Sequence, residues 1–241
     1  MERWEPSSRW VRIDFGGAVI ADTRQPLLIW EAAYPTTYAV PAAAVAAGVL
    51  HESAAVADGR VLYDVRVGDR TAEAAAWRYT ERAGDDRALN DAIAFDWSAM
   101  DGWREEDEVI FRHPRDPHHR VDAIRSSRHV EVHVGGEVVA DSRRPTLVFE
   151  TRMPTRYYLP SEDVRTELLV ASSLVTACPY KGEATYRSVR LGAVDYPDVV
   201  WTYADPIDEV AKLKDLLAFY DEHVDVLVDG ERQERPVTPW S

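Results

Sequence analysis

The chain of 241 residues has one cysteine, Cys178, and three lysines, Lys181, Lys212 and Lys214. A single thiol excludes an internal disulfide and fits a reducing compartment. With no Cys-x-x-Cys, it also excludes a thiolate-rich structural zinc site. Positive charge is short too: 28 basic against 42 acidic residues give a formal net charge of −14. That charge repels phosphate backbones, so no nucleic acid partner is expected. No apolar run approaches the roughly 18 residues needed to span a bilayer, and MERWEPSSRW lacks an apolar leader. A soluble, cytoplasmic protein without membrane partners is expected. Gly-x-Gly-x-x-Gly is absent as well, so the glycine pairs read as turns and not as phosphate cradles.

What is present is a repeat. Trp10 to Val45 returns 119 positions later as His129 to Val164. Gly16 and Gly17 fall on Gly135 and Gly136, Asp22 on Asp141, Arg24 on Arg143, Glu31 on Glu150, and Tyr38 on Tyr157. A period this long means two folded domains and not a solenoid. Domains are expected at 9–112 and 129–232, with a linker at 113–128 and a loosely held tail at 233–241. The linker, HPRDPHHRVDAIRSSR, offers His113, His118 and His119 with Asp116 and Asp122. Two prolines and no rigid His spacing favour a connector pinned by arginine to carboxylate pairs over a metal site. No metal and no cofactor are expected.

Val11, Ile13 and Phe15 alternate with polar residues before Gly16-Gly17, and Val130 to Val134 do so before Gly135-Gly136. Each reads as a hairpin. Several short strands follow in each copy. A late helix is expected from about Asp85 through Trp97, and another from Asp205-Pro206 with Val210, Leu213, Leu217, Phe219 and Tyr220 on its buried face. The fold class is therefore mainly β (α+β): two tandem homologous domains of short antiparallel strands, each with one late helix.

The copies differ at one informative place. Cys178-Pro179-Tyr180-Lys181-Gly182 aligns, after a small gap, with Ala55-Val56-Ala57-Asp58-Gly59. An ammonium near a thiol favours the thiolate, so Cys178 and Lys181 are the candidate catalytic pair; the alternative is a buried cysteine beside a solvated lysine. Arg143 and Glu150 are candidates for holding a polar ligand through an arginine fork, or else for a structural ion pair. Tyr157, Tyr180, Tyr186 and Trp201 are candidate pocket walls, or else core aromatics; Tyr38, Tyr63 and Trp77 are the first-copy counterparts of Tyr157, Tyr186 and Trp201.

VGGEVVADSRRPTLVFETRMPTRYYLP, CPYKGEATYRSV, VVWTYADP and LLAFYDEHVDV together resemble the DUF427 family, and the first copy with HPRDPHHRVD resembles its two-domain members. The resemblance implies a β-tent fold, similar to small zinc-binding modules whose Cys-x-x-Cys pairs this chain lacks. The family's nucleotidyltransferase-like label implies phosphoryl transfer, but no Gly-Ser followed by Asp-x-Asp is present to hold its metal ions. The family's Cys-Pro-Tyr-Lys-Gly motif falls on Cys178 to Gly182, and the first copy departs from it. The expected function is binding of a small polar ligand in a pocket of the second domain. Alternatives are an enzyme using Cys178 or Lys181, and a structural or protein-interaction module whose degenerate first copy supports a homodimer.

Overall fold

The computed structural model describes residues 3–31, 35–55, 57, 59–80 and 84–241, without the side chains of 84–87. Val56, Asp58 and the side chains of Asp85 and Asp86 lie outside that description. The chain divides into two compact units, Met1–Asp116 and Pro117–Ser241. No helix among the described residues is long and apolar enough to cross a membrane.

The first unit contains β1 (Arg3–Pro6), β2 (Val11–Phe15), β3 (Ala18–Thr23), β4 (Leu27–Trp30), β5 (Thr36–Pro41), β6 (Leu50–Glu52), β7 (Arg60–Val67), β8 (Arg70–Tyr79), β9 (Ala92–Phe95), β10 (Gly102–Glu105) and β11 (Glu108–Ile110). The second contains β12 (Val121–Arg125), β13 (Val130–Val134), β14 (Glu137–Ser142), β15 (Thr146–Glu150), β16 (Arg156–Leu159), β17 (Leu169–Cys178), β18 (Gly182–Leu191), β19 (Val194–Thr202), β20 (Leu217–Phe219), β21 (Asp225–Val228) and β22 (Glu231–Arg232). Each unit folds into a seven-stranded and a four-stranded antiparallel sheet. The orders β1-β4-β5-β9-β8-β7-β6 and β12-β15-β16-β20-β19-β18-β17 are the same topology, as are β11-β10-β2-β3 and β22-β21-β13-β14. Both copies even carry the same bulge, between Ile13 and Asp14 and between Val132 and His133.

Alternation explains the layers. Inward residues of β13, Val130, Val132 and Val134, join Leu159, Val200 and Phe219 from the large sheet in one buried cluster between the sheets. Val11, Ile13 and Phe15 do the same in the first unit. The large sheet's other face is also covered: Tyr158, Tyr186, Trp201 and Tyr203 pack with Val210 and Leu213 of the 3-10 turn Asp208–Leu213. Gly16 and Gly135 open their hairpin turns at φ +60° and +56°, and a Cβ on either would collide with Val67 or Tyr196.

Two expectations change. The late helices are short 3-10 turns, Gly84–Asp91 and Asp208–Leu213, followed by the strands β9 and β20. Both strands lie inside the large sheets with both faces buried, so they lack the alternation that marks a strand. Within the span 113–128, β12 pairs with β15 as the sheet's edge strand. Thr238 of the largely exposed tail donates to Glu222 at 2.6 Å.

Candidate functional site

The strand pair β17 and β18 closes over a three-residue loop, with Cys178 opposite Gly182. Lys181 N–H donates to the Cys178 carbonyl (3.2 Å), and the Lys181 carbonyl accepts from Ile207 N–H (3.2 Å). Gly182 adopts φ +106° with the Asp205 carbonyl where a Cβ would crowd it, which makes glycine necessary here. The loop is thus clamped between its own hairpin and the segment leading into the 3-10 turn. That clamp aims the Lys181 side chain at the end of β15.

There Lys181 Nζ donates to Glu150, and His119 Nε2 donates to the other carboxylate oxygen at 3.0 Å. All three are largely buried, their side chains being 11%, 10% and 14% exposed. Tyr180 stacks on the His119 ring with centroids 4.1 Å apart. Burial pushes the Glu150 carboxyl up, but the His119 hydrogen bond and the Lys181 charge together hold it below its ordinary value. Glu150 therefore stays a carboxylate. It also lines an open depression of about 300 Å³, shared with Arg120, Asp122, Phe149, Thr151, Met153 and Thr155.

Beside this cluster lies an aromatic array. Trp201 Nε1 donates to the hydroxyl of the buried Tyr158 (3.0 Å), and Tyr186 shares a hydrogen bond with Thr176 (2.8 Å). Burial raises the Tyr158 and Tyr203 phenols far above their ordinary value, so both remain neutral. Trp201 packs on Tyr220 at 4.7 Å, and Arg156 lies over Trp201 at 5.7 Å. Arg156 in turn holds Glu222 with two hydrogen bonds, at 2.8 and 2.5 Å, and lies 3.7 Å from Asp221. Burial raises the Asp221 carboxyl to about 7 despite Arg156.

Of the sequence-derived candidates, Glu150 and Lys181 meet directly and Tyr180 joins them by stacking on His119, with Cys178 at the foot of the same loop. Tyr186 and Trp201 stand in the adjoining array as buried core aromatics and do not line the depression. Arg143 and Tyr157 do not belong to the site. Arg143 is exposed just past the end of β14, the edge strand of the other sheet, 3.5 Å from His129. Tyr157 points the opposite way from Tyr158, towards the cluster between the sheets. Cys178 is half-buried, and among the described residues its sulfur has no hydrogen-bond partner to act as a base. Lys181 is committed to Glu150 and offers no free amine. His119 was visible only as one of three linker histidines. Arg156 and Glu222 stand 66 positions apart and carried no signal beyond their absence from the first copy.

The register also moves the internal alignment by one. Leu62 pairs with Trp77 as Tyr186 pairs with Trp201, so Leu62 and not Tyr63 corresponds to Tyr186.

A tandem pair of such two-sheet domains, the second carrying the Cys-Pro-Tyr-Lys-Gly loop, defines a class of duplicated mainly-β proteins. The model of the domain of unknown function DUF427 matches residues 3–106 and again 122–230, and the chain belongs to that family as a two-domain member. No curated protein matches it.

Proposed function

We propose that the second domain binds a small polar molecule in the depression bounded by Glu150. One observation supports this reading above others: the same carboxylate that lines the depression is held ionised, largely buried and oriented by two cationic or proton-donating partners. Such a fixed charge at an accessible wall suits recognition of a ligand's hydroxyl or ammonium donors. Arg120 and Asp122, which also line the depression, are bonded to each other at its rim and can exchange that bond for one to the ligand.

The test is a thermal-shift screen of polyols, amines, amino acids and small carboxylates against the full chain. A ligand at about 100 times its dissociation constant stabilises by roughly 2.7 kcal/mol. The shift should vanish in Glu150→Gln and persist in Glu31→Gln. A shift that survives Glu150→Gln, or a screen in which no compound stabilises the chain, would overturn the reading.

A further inference from the structure

The outer face of the second domain's small sheet carries a second cluster, apart from the depression. On β13 and the residue before it, His129, Glu131 and His133 follow at intervals of two, and period-two alternation sends all three to one side of the sheet. Asp141 on β14 stands directly opposite Glu131 in the strand register. Ligand atoms of His129, Glu131 and Asp141 all lie within 4.8 Å of one another. His129 Nε2 is 2.7 Å from Asp141, and His133 Nε2 is 3.9 Å from Glu131. That His133 nitrogen is buried and has no hydrogen-bond partner among the described residues, although it faces a carboxylate.

The first copy shows what these stations do when they are purely structural. Trp10, Arg12, Asp14 and Asp22 occupy them, and Arg12 stands opposite Asp22. Trp10 Nε1 donates to Asp22 (2.6 Å), Arg12 lies over the Trp10 ring (4.0 Å), and Arg104 binds Asp14 with two hydrogen bonds. Opposite charges thus meet across the strands. In the second copy Glu131 replaces the arginine, so two carboxylates face each other, an arrangement that is destabilising unless something positive lies between them. Arg143 does not fill that role, since its guanidinium approaches His129 Nδ1 (3.5 Å). Asp225, the cross-strand neighbour of His133, is already held by Arg232 and Arg235.

We propose that His129, Glu131, His133 and Asp141 form a binding site for a divalent transition metal ion of the zinc type. Two imidazoles and two carboxylates are an N₂O₂ set suited to zinc, cobalt or nickel and not to calcium or magnesium, which take oxygen alone. Bonds of about 2.0–2.2 Å to one ion place its ligand atoms roughly 3–4 Å apart, a spacing these half-exposed side chains reach by small rotations. The ion's two positive charges neutralise the two facing carboxylates, and the unpartnered His133 nitrogen gains a ligand bond.

Zinc titrated into chelator-treated full-length protein, read by competition with a chromophoric chelator, should show one tight equivalent per chain. Cobalt should give visible absorption bands typical of four-coordination. His133→Ala and Asp141→Ala should each weaken zinc by at least about tenfold, and Asp22→Ala in the first copy should leave it unchanged. Glu131→Gln, which keeps the side-chain shape, should weaken it as well, and metal-free melting curves check that each variant is folded. The proposal fails if no stoichiometric zinc is bound. It fails equally if the three variants bind as the parent does while His118→Ala or His119→Ala releases the metal, since the linker histidines would then be the site.

Discussion

The two domains share eleven strands in one order and the same bulge, yet what lies on the outer face of their large sheets differs. Between the sheets the residues correspond in type: Val11, Ile13 and Phe15 become Val130, Val132 and Val134, all buried. Outside, Glu31 is held by Arg60 at 2.7 Å and by the Tyr79 hydroxyl, whereas Glu150 is held by Lys181 and His119. The first carboxylate and its arginine are 27% and 33% exposed, the second pair only about a tenth exposed. Ala39 stands where the second copy has Tyr158, and Trp77, the counterpart of Trp201, has its indole nitrogen buried without an acceptor of normal geometry among the described residues. The inner face must be kept for the fold to close, and the outer face was free to carry a different, more deeply buried polar array in the second copy.

That difference is sharpest at Arg156. Glu222→Ala leaves a guanidinium that is only 7% exposed with Asp221 as its remaining partner. Breaking a buried pair in this way costs about 3–5 kcal/mol. For a domain of this size that is a fall of roughly 10 °C or more in the melting transition of the second unit, read by calorimetry on the full chain. In the first copy the comparable buried acid, Glu105, keeps its 2.8 Å hydrogen bond from Tyr38 when Arg9, 39% exposed, is removed. Arg9→Ala should therefore cost only about 1 kcal/mol. Equal losses in the two variants would show that the buried Arg156 to Glu222 pair is no costlier to break than the half-exposed Arg9 to Glu105 pair.

A smaller effect separates the two tryptophans. Trp201→Phe and Trp77→Phe remove similar volume, but only Trp201 donates a hydrogen bond of normal geometry to a buried hydroxyl, that of Tyr158. Trp201→Phe should cost about 1–2 kcal/mol more than Trp77→Phe in denaturant unfolding, the penalty of one unmade buried hydrogen bond. If Trp77→Phe is the costlier change, the Trp201 to Tyr158 bond contributes nothing to the second domain.

Much of this architecture was legible because the duplication supplied its own alignment. The hairpins followed from strict alternation around Gly16-Gly17 and Gly135-Gly136, where positive φ leaves few other residues possible. Ala92–Phe95 and Leu217–Phe219 were misread as parts of helices because strands buried on both faces show no period, and the acid-rich turns before them imitate helix starts. At the site, contrast between the copies found the Cys178 to Gly182 loop, and the repeated Glu31 and Glu150 found its partner. Arg143 went with them wrongly: it repeats because it serves the small sheet, where its counterpart Arg24 lies over Trp10 at 4.5 Å. Arg156, Tyr158 and Glu222 escaped because their meeting depends on strand register, which sequence spacing does not reveal.

The subtlest contrast lies at a bend both copies share. Ala74 and Asp198 occupy corresponding places on β8 and β19, at φ +49° and +54°. Ala74 N–H donates to Asp64 (3.0 Å) and Asp198 N–H to Ser188 (3.1 Å), each across the irregular pairing beside it. The Ala74 N–H bond is the main reason the half-buried Asp64 carboxyl lies below its ordinary value. A left-handed backbone costs alanine about 1 kcal/mol through its Cβ, but aspartate tolerates it better because its short polar side chain bonds locally. Ala74→Gly should therefore stabilise the first domain by about 0.5 kcal/mol, the relief of strain exceeding the added entropy of the unfolded chain. Asp198→Gly should change the second by less than that. An Ala74→Gly variant that melts lower than the parent would mean that the bend is held by its hydrogen bond alone, and that the two copies pay the same conformational cost there.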